Sequence, residues 1–557
     1  MSRKKSKKDK QQKRPATAVP ARIELMEELL AIVERSRSGA LDAEDRAKLT
    51  TAVSTLRFLT EELQKKQTSV ARLRQMLFGA ATEKTRAVLG EEHTAQTLPA
   101  APGSGEASEP APEKPPGHGR NSAAAYTGAD KVVVPHTSVH SGEACPICET
   151  GKVYSLAEPS VLVRITGVAP LGATVYECDR LRCNLCGEVY TAPAPAGVGD
   201  EKYDATATSM IGLLKYGTGL PFNRIEKLQE GMRIPLPAAT QWDLVKEAAQ
   251  SLAPVHEELI RQAAQGAVLY NDDTTMKVLD LTRAQRAAAL AEDANEERTG
   301  VFTSGIVATD EDHKMALFFT GARHAGENLG EVLKRRAAEL PAPIQMCDAL
   351  SSNTTGDFDT LLSNCISHSR RKYVEVAESF PEEVRFVLET LREVYRTDAR
   401  AREMTPEDRL RLHQDESAPR MQALANWMQV QFEERKVEPN STLGEAIRYM
   451  QKHWAELTLF LRAPGAPLDN NLCERALKKA ILHRKNSLFF KTLNGARVGD
   501  LFMSLIHTAE LNDVAPFDYL VALLRHADAV SANPGNWMPW NYTTTLARYT
   551  SGADPPA

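Results

Sequence analysis

Near its C-terminus the chain reads Leu468-Asp469-Asn470-Asn471-Leu472-Cys473-Glu474-Arg475. From Glu474 to Arg497 the only carboxylate is Glu474, while Arg475, Lys478, Lys479, Arg484, Lys485, Lys491 and Arg497 are cationic. A lone acid in a field of bases suits a metal ligand held against a polyanion. The basicity is local, since the formal net charge of the 557 residues is −5. Two more acids follow short apolar runs that read as strands: Asp272 after Ala267-Val268-Leu269-Tyr270-Asn271, and Asp348 after Ile344-Gln345-Met346-Cys347. Three such carboxylates can hold two Mg²⁺ (or Mn²⁺) ions, hard cations that take oxygen ligands and keep waters. A pair of ions supplies what phosphodiester chemistry needs, a strong nucleophile and a way to spread charge on phosphorus. Spacing does not show that these three meet, and any one of the chain's 73 acidic residues could be a solvated surface group.

The cysteines point to a second metal. Cys145-Pro146-Ile147-Cys148 and Cys183-Asn184-Leu185-Cys186 are two C-x2-C pairs, and four thiolates close a tetrahedron around Zn²⁺ with no open position, so that site is expected to be structural. Eight cysteines in so long a chain make no disulfide scaffold, and the paired spacing suggests a reducing compartment. Cys365 and His368 alone are half a zinc site; a structural role near the acids is expected, with His368 hydrogen-bonded to a phosphate or carboxylate. No apolar run is long enough to span a bilayer, and the charged N-terminus lacks the apolar stretch of a secretory signal. A cytoplasmic, nucleoid-associated protein is expected.

The elements that must position these residues fall into several regions. Residues 1–22 form a basic tail able to touch nucleic acid, or simply to aid solubility. Within 23–90, Leu49, Leu56, Leu63, Val70 and Leu77 recur every seven residues, with Ala52, Leu59 and Leu73 at the offset of three and Lys66 interrupting. That seam predicts a coiled coil used for self-association, with an amphipathic helix packed on its own domain as the alternative. Residues 91–130 are a Pro/Gly/Ala/Ser-rich linker, and 131–198 a zinc-binding domain with short β-rich runs. Residues 199–262 read as three short helices with Gly/Pro turns, either a helix-turn-helix that binds DNA or helical hairpins packed against a core. Residues 263–510 are α/β, interrupted by a helical stretch at 376–460, and 511–557 are a helical segment and tail in which Trp537 and Trp540 anchor to the core. The segment bearing Glu474 reads as a helix with Asp469 or Asn470 as N-cap.

Residues 266–510 resemble the catalytic domain of DDE transposases of the insertion sequence 66 family. Leu269-Tyr270-Asn271-Asp272-Asp273-Thr274 is similar to the family's first-acid motif, with Asp273 where Glu is usual. Cys365-Ile366-Ser367-His368-Ser369-Arg370-Arg371-Lys372-Tyr373 is similar to its Cys-x-x-His segment with a basic-aromatic tail. Asp469-Asn470-Asn471 with Glu474-Arg475 resembles its third-acid helix, and Arg484-Lys485-Asn486 with Leu488-Phe489 the motif after it. Leu73-Arg74-Gln75-Met76-Leu77-Phe78-Gly79 and Glu83-Lys84 extend the likeness toward the N-terminus. Asp348 is followed by Ala349-Leu350 where Gly and an aromatic are usual, which leaves Asp357 and Asp359 as alternative second acids.

The resemblance implies an RNase H-like fold: a mixed sheet with helices on both faces and a helical insertion that delays Glu474 in sequence but not in space. It implies that Asp272, Asp348 and Glu474 are the catalytic acids and Mg²⁺ ligands. The reaction implied is in-line displacement at phosphorus, first by water at a mobile element's end and then by the freed 3′-hydroxyl on target DNA, without a covalent protein intermediate. Arg475, Lys478, Arg484 and Lys485 would hold phosphates, Asn471 would orient a phosphate or a water, and Arg370, Arg371 and Lys372 would extend the basic surface. Partners implied are DNA, a second copy of the chain, and other proteins of the same element. Two other readings remain open: a nuclease on the same fold that cuts without joining, and a DNA-binding regulator with a decayed site.

Overall fold

The computed structural model describes residues 201–281, 300–310, 312–356 and 358–550, with short stretches between 42 and 198. The basic tail, the heptad seam after Leu49, the linker, the four paired cysteines and Asp357 lie outside the described residues. The elements below belong to the second of two units, Glu92–Ala557.

A short antiparallel pair, β1 (Arg180–Arg182) and β2 (Val189–Thr191), precedes three helices. α1 (Ala205–Gly212) starts where the Asp204 carboxylate accepts the Ala207 N–H at 3.0 Å, the usual way to satisfy a free donor in a first helical turn. α2 (Phe222–Gly231) follows Pro221. α3 (Ala238–Ala263) follows Pro237 and is not short: it runs for 26 residues through Pro254. Its buried residues Val245, Ala249, Leu252, Val255, Leu259 and Ala263 keep a helical period on both sides of the proline, and this continuous apolar face outweighs the lost hydrogen bond. Ile211, Val245, Leu252 and Leu259 share one core with strand residues Ile306 and Leu317 and the C-terminal Phe502 and Ile506. The three helices are thus packed against the same core as the sheet.

The sheet comprises β3 (Val268–Thr275), β4 (Phe302–Thr309), β5 (Lys314–Gly321), β6 (Ile344–Cys347) and β7 (Leu361–Asn364), with α4 (Ala325–Leu333) between β5 and β6. Its order is β5-β4-β3-β6-β7. β3, β4 and β5 form an antiparallel meander, and β6 and β7 run parallel to β3. All four residues of β6 are buried, as a strand covered on both faces requires.

After β7 come α5 (Ile366–Glu375) and a helical insertion of α6 (Pro381–Arg400), α7 (Pro406–Leu412), α8 (Ala418–Glu433) and α9 (Thr442–Lys452). Buried Val387, Leu391, Leu424, Met428, Ile447 and Met450 give the insertion an apolar interior apart from the main core. The chain then returns to the sheet with α10 (Asn471–Ser487) and α11 (Leu493–Leu511), and ends in α12 (Pro516–Arg525), α13 (Ala527–Ala532) and α14 (Tyr542–Thr550). The tail tryptophans are anchors: Trp537 is buried with its carbonyl accepting the Tyr519 hydroxyl at 2.9 Å, and Trp540 stacks on His313 at 4.3 Å.

α11 closes the β5 edge. The Thr320 N–H donates to Asp500 at 2.7 Å, Phe318 N–H to Ser504 Oγ at 3.0 Å, Ala316 N–H to Thr508 Oγ1 at 3.0 Å and Lys314 N–H to Asn512 Oδ1 at 3.2 Å. Four helical residues rise about 6.0 Å and two strand residues about 6.7 Å, so a polar residue at every fourth helical position meets every second strand N–H. The edge that would otherwise offer unpaired donors to another chain is satisfied within the molecule.

Candidate active site

The three acids come from the centre of the sheet and the helix laid across it. The β3–β6 register pairs Val268 with Ile344 and Tyr270 with Met346. Carried two residues further, the same offset sets Asp348 beside Asp272, where parallel strands lie about 4.8 Å apart. Asn353 ties the two: its Nδ2 donates to Asp348 Oδ1 at 2.6 Å and approaches Asp272 Oδ1 at 3.4 Å. Glu474 enters from the first turn of α10, which packs across β3 and β4. The helix can come close because residue 305, paired with Asp272 across the β3–β4 ladder, is glycine. A Cβ there would lie 2.9 Å from Leu477 Cγ, and Cys473 Sγ donates to the Gly305 carbonyl at 3.2 Å.

Burial and the negative charges of Asp348, Glu474 and Asp273 push the Asp272 carboxyl up to about 7, against the pull of a hydrogen bond from the Asp273 N–H. Crowding of acids at a half-buried point is costly without a cation. Asp273, next in the strand, points the other way. Its carboxylate accepts from Ser304 Oγ at 2.7 Å and from the Ala325 N–H at 3.0 Å, and lies 2.9 Å from His324 Nδ1. It fixes the start of α4 and leaves Asp272 as the acid facing Asp348.

Four buried amides, which the sequence reading missed as a group, brace the acid-bearing segments. Asn271 Nδ2 donates to the Asn353 carbonyl at 2.7 Å, and Gln345 Nε2 donates to that carbonyl at 2.7 Å and to Asn271 Oδ1 at 3.0 Å. Asn470 Nδ2 donates to the Asn271 carbonyl at 3.0 Å. Each amide is a neighbour in sequence or in the loop of one of the three acids, so the network joins β3, β6, the 348–353 loop and the entrance of α10. The available signal was a polar residue inside an apolar strand run, as in Tyr270-Asn271 and Ile344-Gln345. The N-cap of α10 is Asn470, but its side chain serves this network; the Asp469 carboxylate instead accepts the Asn471 N–H at 3.1 Å.

The basic residues divide by role. Asn471, Arg475, Lys478 and Lys485 are exposed and recur on one side of α10, opposite the buried Cys473, Ala476, Leu477, Ala480 and His483. Arg484 is engaged within the protein: its guanidinium donates to Thr274 Oγ1 at 3.1 Å, to Thr275 Oγ1 at 2.6 Å and to the Thr275 carbonyl, pinning α10 to the end of β3. Lys479 pairs with Glu510 at 2.8 Å. On α5, Arg370 and Arg371 are half-buried, and Lys372 lies with its Nζ 4.4 Å from the Tyr449 ring centroid. His368 Nε2 is 3.8 Å from Glu474 Oε1, beyond hydrogen bonding.

In this mixed sheet Asp272, within β3, and Asp348, just past the end of the parallel β6, are joined by a glutamate from a later basic helix. The model of the Transposase IS66 family matches residues 202–498, more than half of the chain, and the chain belongs to that family. It is also similar to two proteins of Sinorhizobium fredii (strain NBRC 101917 / NGR234), both named only as uncharacterized. It is 26% identical to y4jD over 504 residues, 85% of this chain and 93% of the relative. It is 24% identical to y4hP over 399 residues, 66% of this chain and 68% of the relative. Among the described residues no helix is long and apolar enough to cross a membrane.

Proposed function

We propose that this transposase breaks DNA strands at the ends of its mobile element and joins them to target DNA at a centre where Asp272, Asp348 and Glu474 hold two Mg²⁺ (or Mn²⁺) ions. The observation that carries the reading is the Asn353 amide held between Asp272 and Asp348. An N–H donor sits where two carboxylates converge, the position a hard cation would favour. The raised Asp272 carboxyl, to which the charges of Asp348 and Glu474 contribute, fits the same donor set. When bound, the ions supply charge neutralisation at phosphorus and a nucleophile at neutral pH. The chain's own residues do the rest. The amide network holds the acids in place, and Arg484 fixes α10 against β3. The exposed Asn471, Arg475, Lys478 and Lys485 face offers phosphate contacts, extended by Arg370, Arg371 and Lys372. On this reading Arg484 clasps β3 through Nη1 and keeps the rest of its guanidinium for phosphate.

The strand order β5-β4-β3-β6-β7, with helices inserted between β7 and α10, supports an RNase H-like catalytic domain. A structural zinc site is supported by the chain around the cysteines. Ala144 pairs antiparallel with Lys152, bracketing Cys145 and Cys148, and Arg182 pairs with Val189, bracketing Cys183 and Cys186. We further propose self-association through the heptad seam, action in the cytoplasm on nucleoid DNA, and help from other proteins of the element.

The test is Mg²⁺-dependent reaction of the full chain on DNA bearing the element's ends, beside Glu474→Gln. Cleavage with joining in the wild type and neither in the variant is expected. Cleavage without joining would instead favour a nuclease, and equal inertness with retained end binding would favour a DNA-binding regulator.

A further inference from the structure

We propose that Cys365, His368 and Glu474 form a separate site for a soft or borderline divalent cation, Zn²⁺ being the best match, which holds the Glu474 carboxylate through Oε1. One ligand atom from each of the three lies within 4.8 Å of the other two. A tetrahedral zinc sets such atoms about 3.3–3.8 Å apart, so the cluster needs to close by little more than a side-chain adjustment; His368 Nε2 and Glu474 Oε1 are already 3.8 Å apart.

The surroundings are built for a ligand. Cys365 is the residue before α5, and its Sγ accepts the Asn470 N–H at 3.2 Å. The Ile366 N–H donates to the Leu468 carbonyl at 3.0 Å, so the starts of α5 and α10 are laced together and the three side chains share one small volume. Glu474 Oε1 and His368 Nδ1 are buried with no hydrogen-bond partner, an expensive condition that a cation at this point would relieve for the carboxylate. The donor set decides the metal. A thiolate and an imidazole select zinc and disfavour Mg²⁺, which asks for oxygens only. The site therefore does not compete with the Asp272–Asp348 pair for the same ion. It uses one oxygen of Glu474 and leaves Oε2 for the hard-metal centre, and a water completes the tetrahedron.

The zinc site stands on geometry alone; only its consequence for catalysis rests on the transposase reading. The experiment measures zinc per folded full-length chain by elemental analysis, after loading with ZnCl₂ and exhaustive dialysis. Wild type is compared with Cys365→Ser, His368→Asn, Glu474→Gln and, as a control, Cys347→Ala, a buried thiol outside the cluster. All variants leave Cys145, Cys148, Cys183 and Cys186 intact, so the knuckle zinc cancels in the difference. One zinc fewer in each cluster variant, with the control equal to wild type and circular dichroism unchanged, is expected. Co²⁺ substitution should show thiolate charge-transfer absorption that falls in Cys365→Ser alone among the cysteine changes. Equal zinc in wild type and all cluster variants overturns the site, and loss in the Cys365 and His368 variants but not in Glu474→Gln overturns the role of the glutamate. Absence of strand cleavage with this zinc pattern intact would count against the transposase reading and not against the site.

Discussion

Burial pushes two carboxyls among the described residues, Asp272 and Asp500, up to about 7. Asp500, on α11 at the β5 edge, has its needs met: Thr320 donates to it from both its N–H and its hydroxyl, each at 2.7 Å. Asp272, at the centre of the sheet, faces Asp348 and Glu474 and receives one good hydrogen bond, from its neighbour's N–H, besides the long Asn353 contact. The same shift has opposite meanings. At the edge a buried acid completes backbone hydrogen bonding and serves stability; at the centre it is a strain that a cation would remove. A perturbed acid marks a functional site only when the charges around it are of its own sign and its donors are missing.

The difference can be broken from the structural side first. Asp500→Leu leaves the Thr320 N–H unpaired in the core and the Thr320 hydroxyl with Thr303 as its remaining partner, and should cost about 2–4 kcal/mol in chemical denaturation. A variant with wild-type stability would show that the α11 ladder does not hold the edge. The next effect is smaller and opposite in sign. Both acids bind protons more tightly when folded than unfolded, where a carboxyl titrates near 3.9. The native state therefore holds extra protons between about pH 4 and 7, and metal-free stability should fall as pH rises through that window. Asp272→Asn should flatten part of this fall and raise the metal-free stability at pH 8 by roughly 1–2 kcal/mol; a less stable variant would mean Asp272 is not strained. The smallest effect is on binding. Lys485→Ala should weaken DNA binding uniformly across sequences and lower the salt slope by about 1, while an unchanged slope would remove this face of α10 from the DNA surface.

The sequence carried the acids and the elements that bear them because these are local signals: an apolar run ending in Asp, a helix-forming segment with Glu in its first turn. The bounds of α2, between Pro221 and Gly231, were legible for the same reason, Gly and Pro being local breakers. The length of α3 was not, because Pro254 reads as a stop and only burial of the whole face overrides it. Register was out of reach. Nothing in Ile344-Gln345-Met346-Cys347 says that it pairs with β3 at an offset that sets Asp348 beside Asp272. The amide network was hidden for a related reason, since Asn271, Gln345, Asn353 and Asn470 become one object only once β3, β6 and α10 are assembled. Arg484 shows the converse: in sequence it is one more base of a phosphate-binding segment, and in the fold it is the clasp that holds that segment.

The most direct test sets the two buried acids side by side in the reaction itself: Mg²⁺-dependent cleavage and joining of DNA bearing the element's ends by Asp272→Asn and Asp500→Asn. Both changes remove a buried charge and keep the shape. Loss of both steps in Asp272→Asn with wild-type rates in Asp500→Asn is the predicted result. Activity retained in Asp272→Asn, or lost equally in the two, would contradict a catalytic centre at Asp272, Asp348 and Glu474.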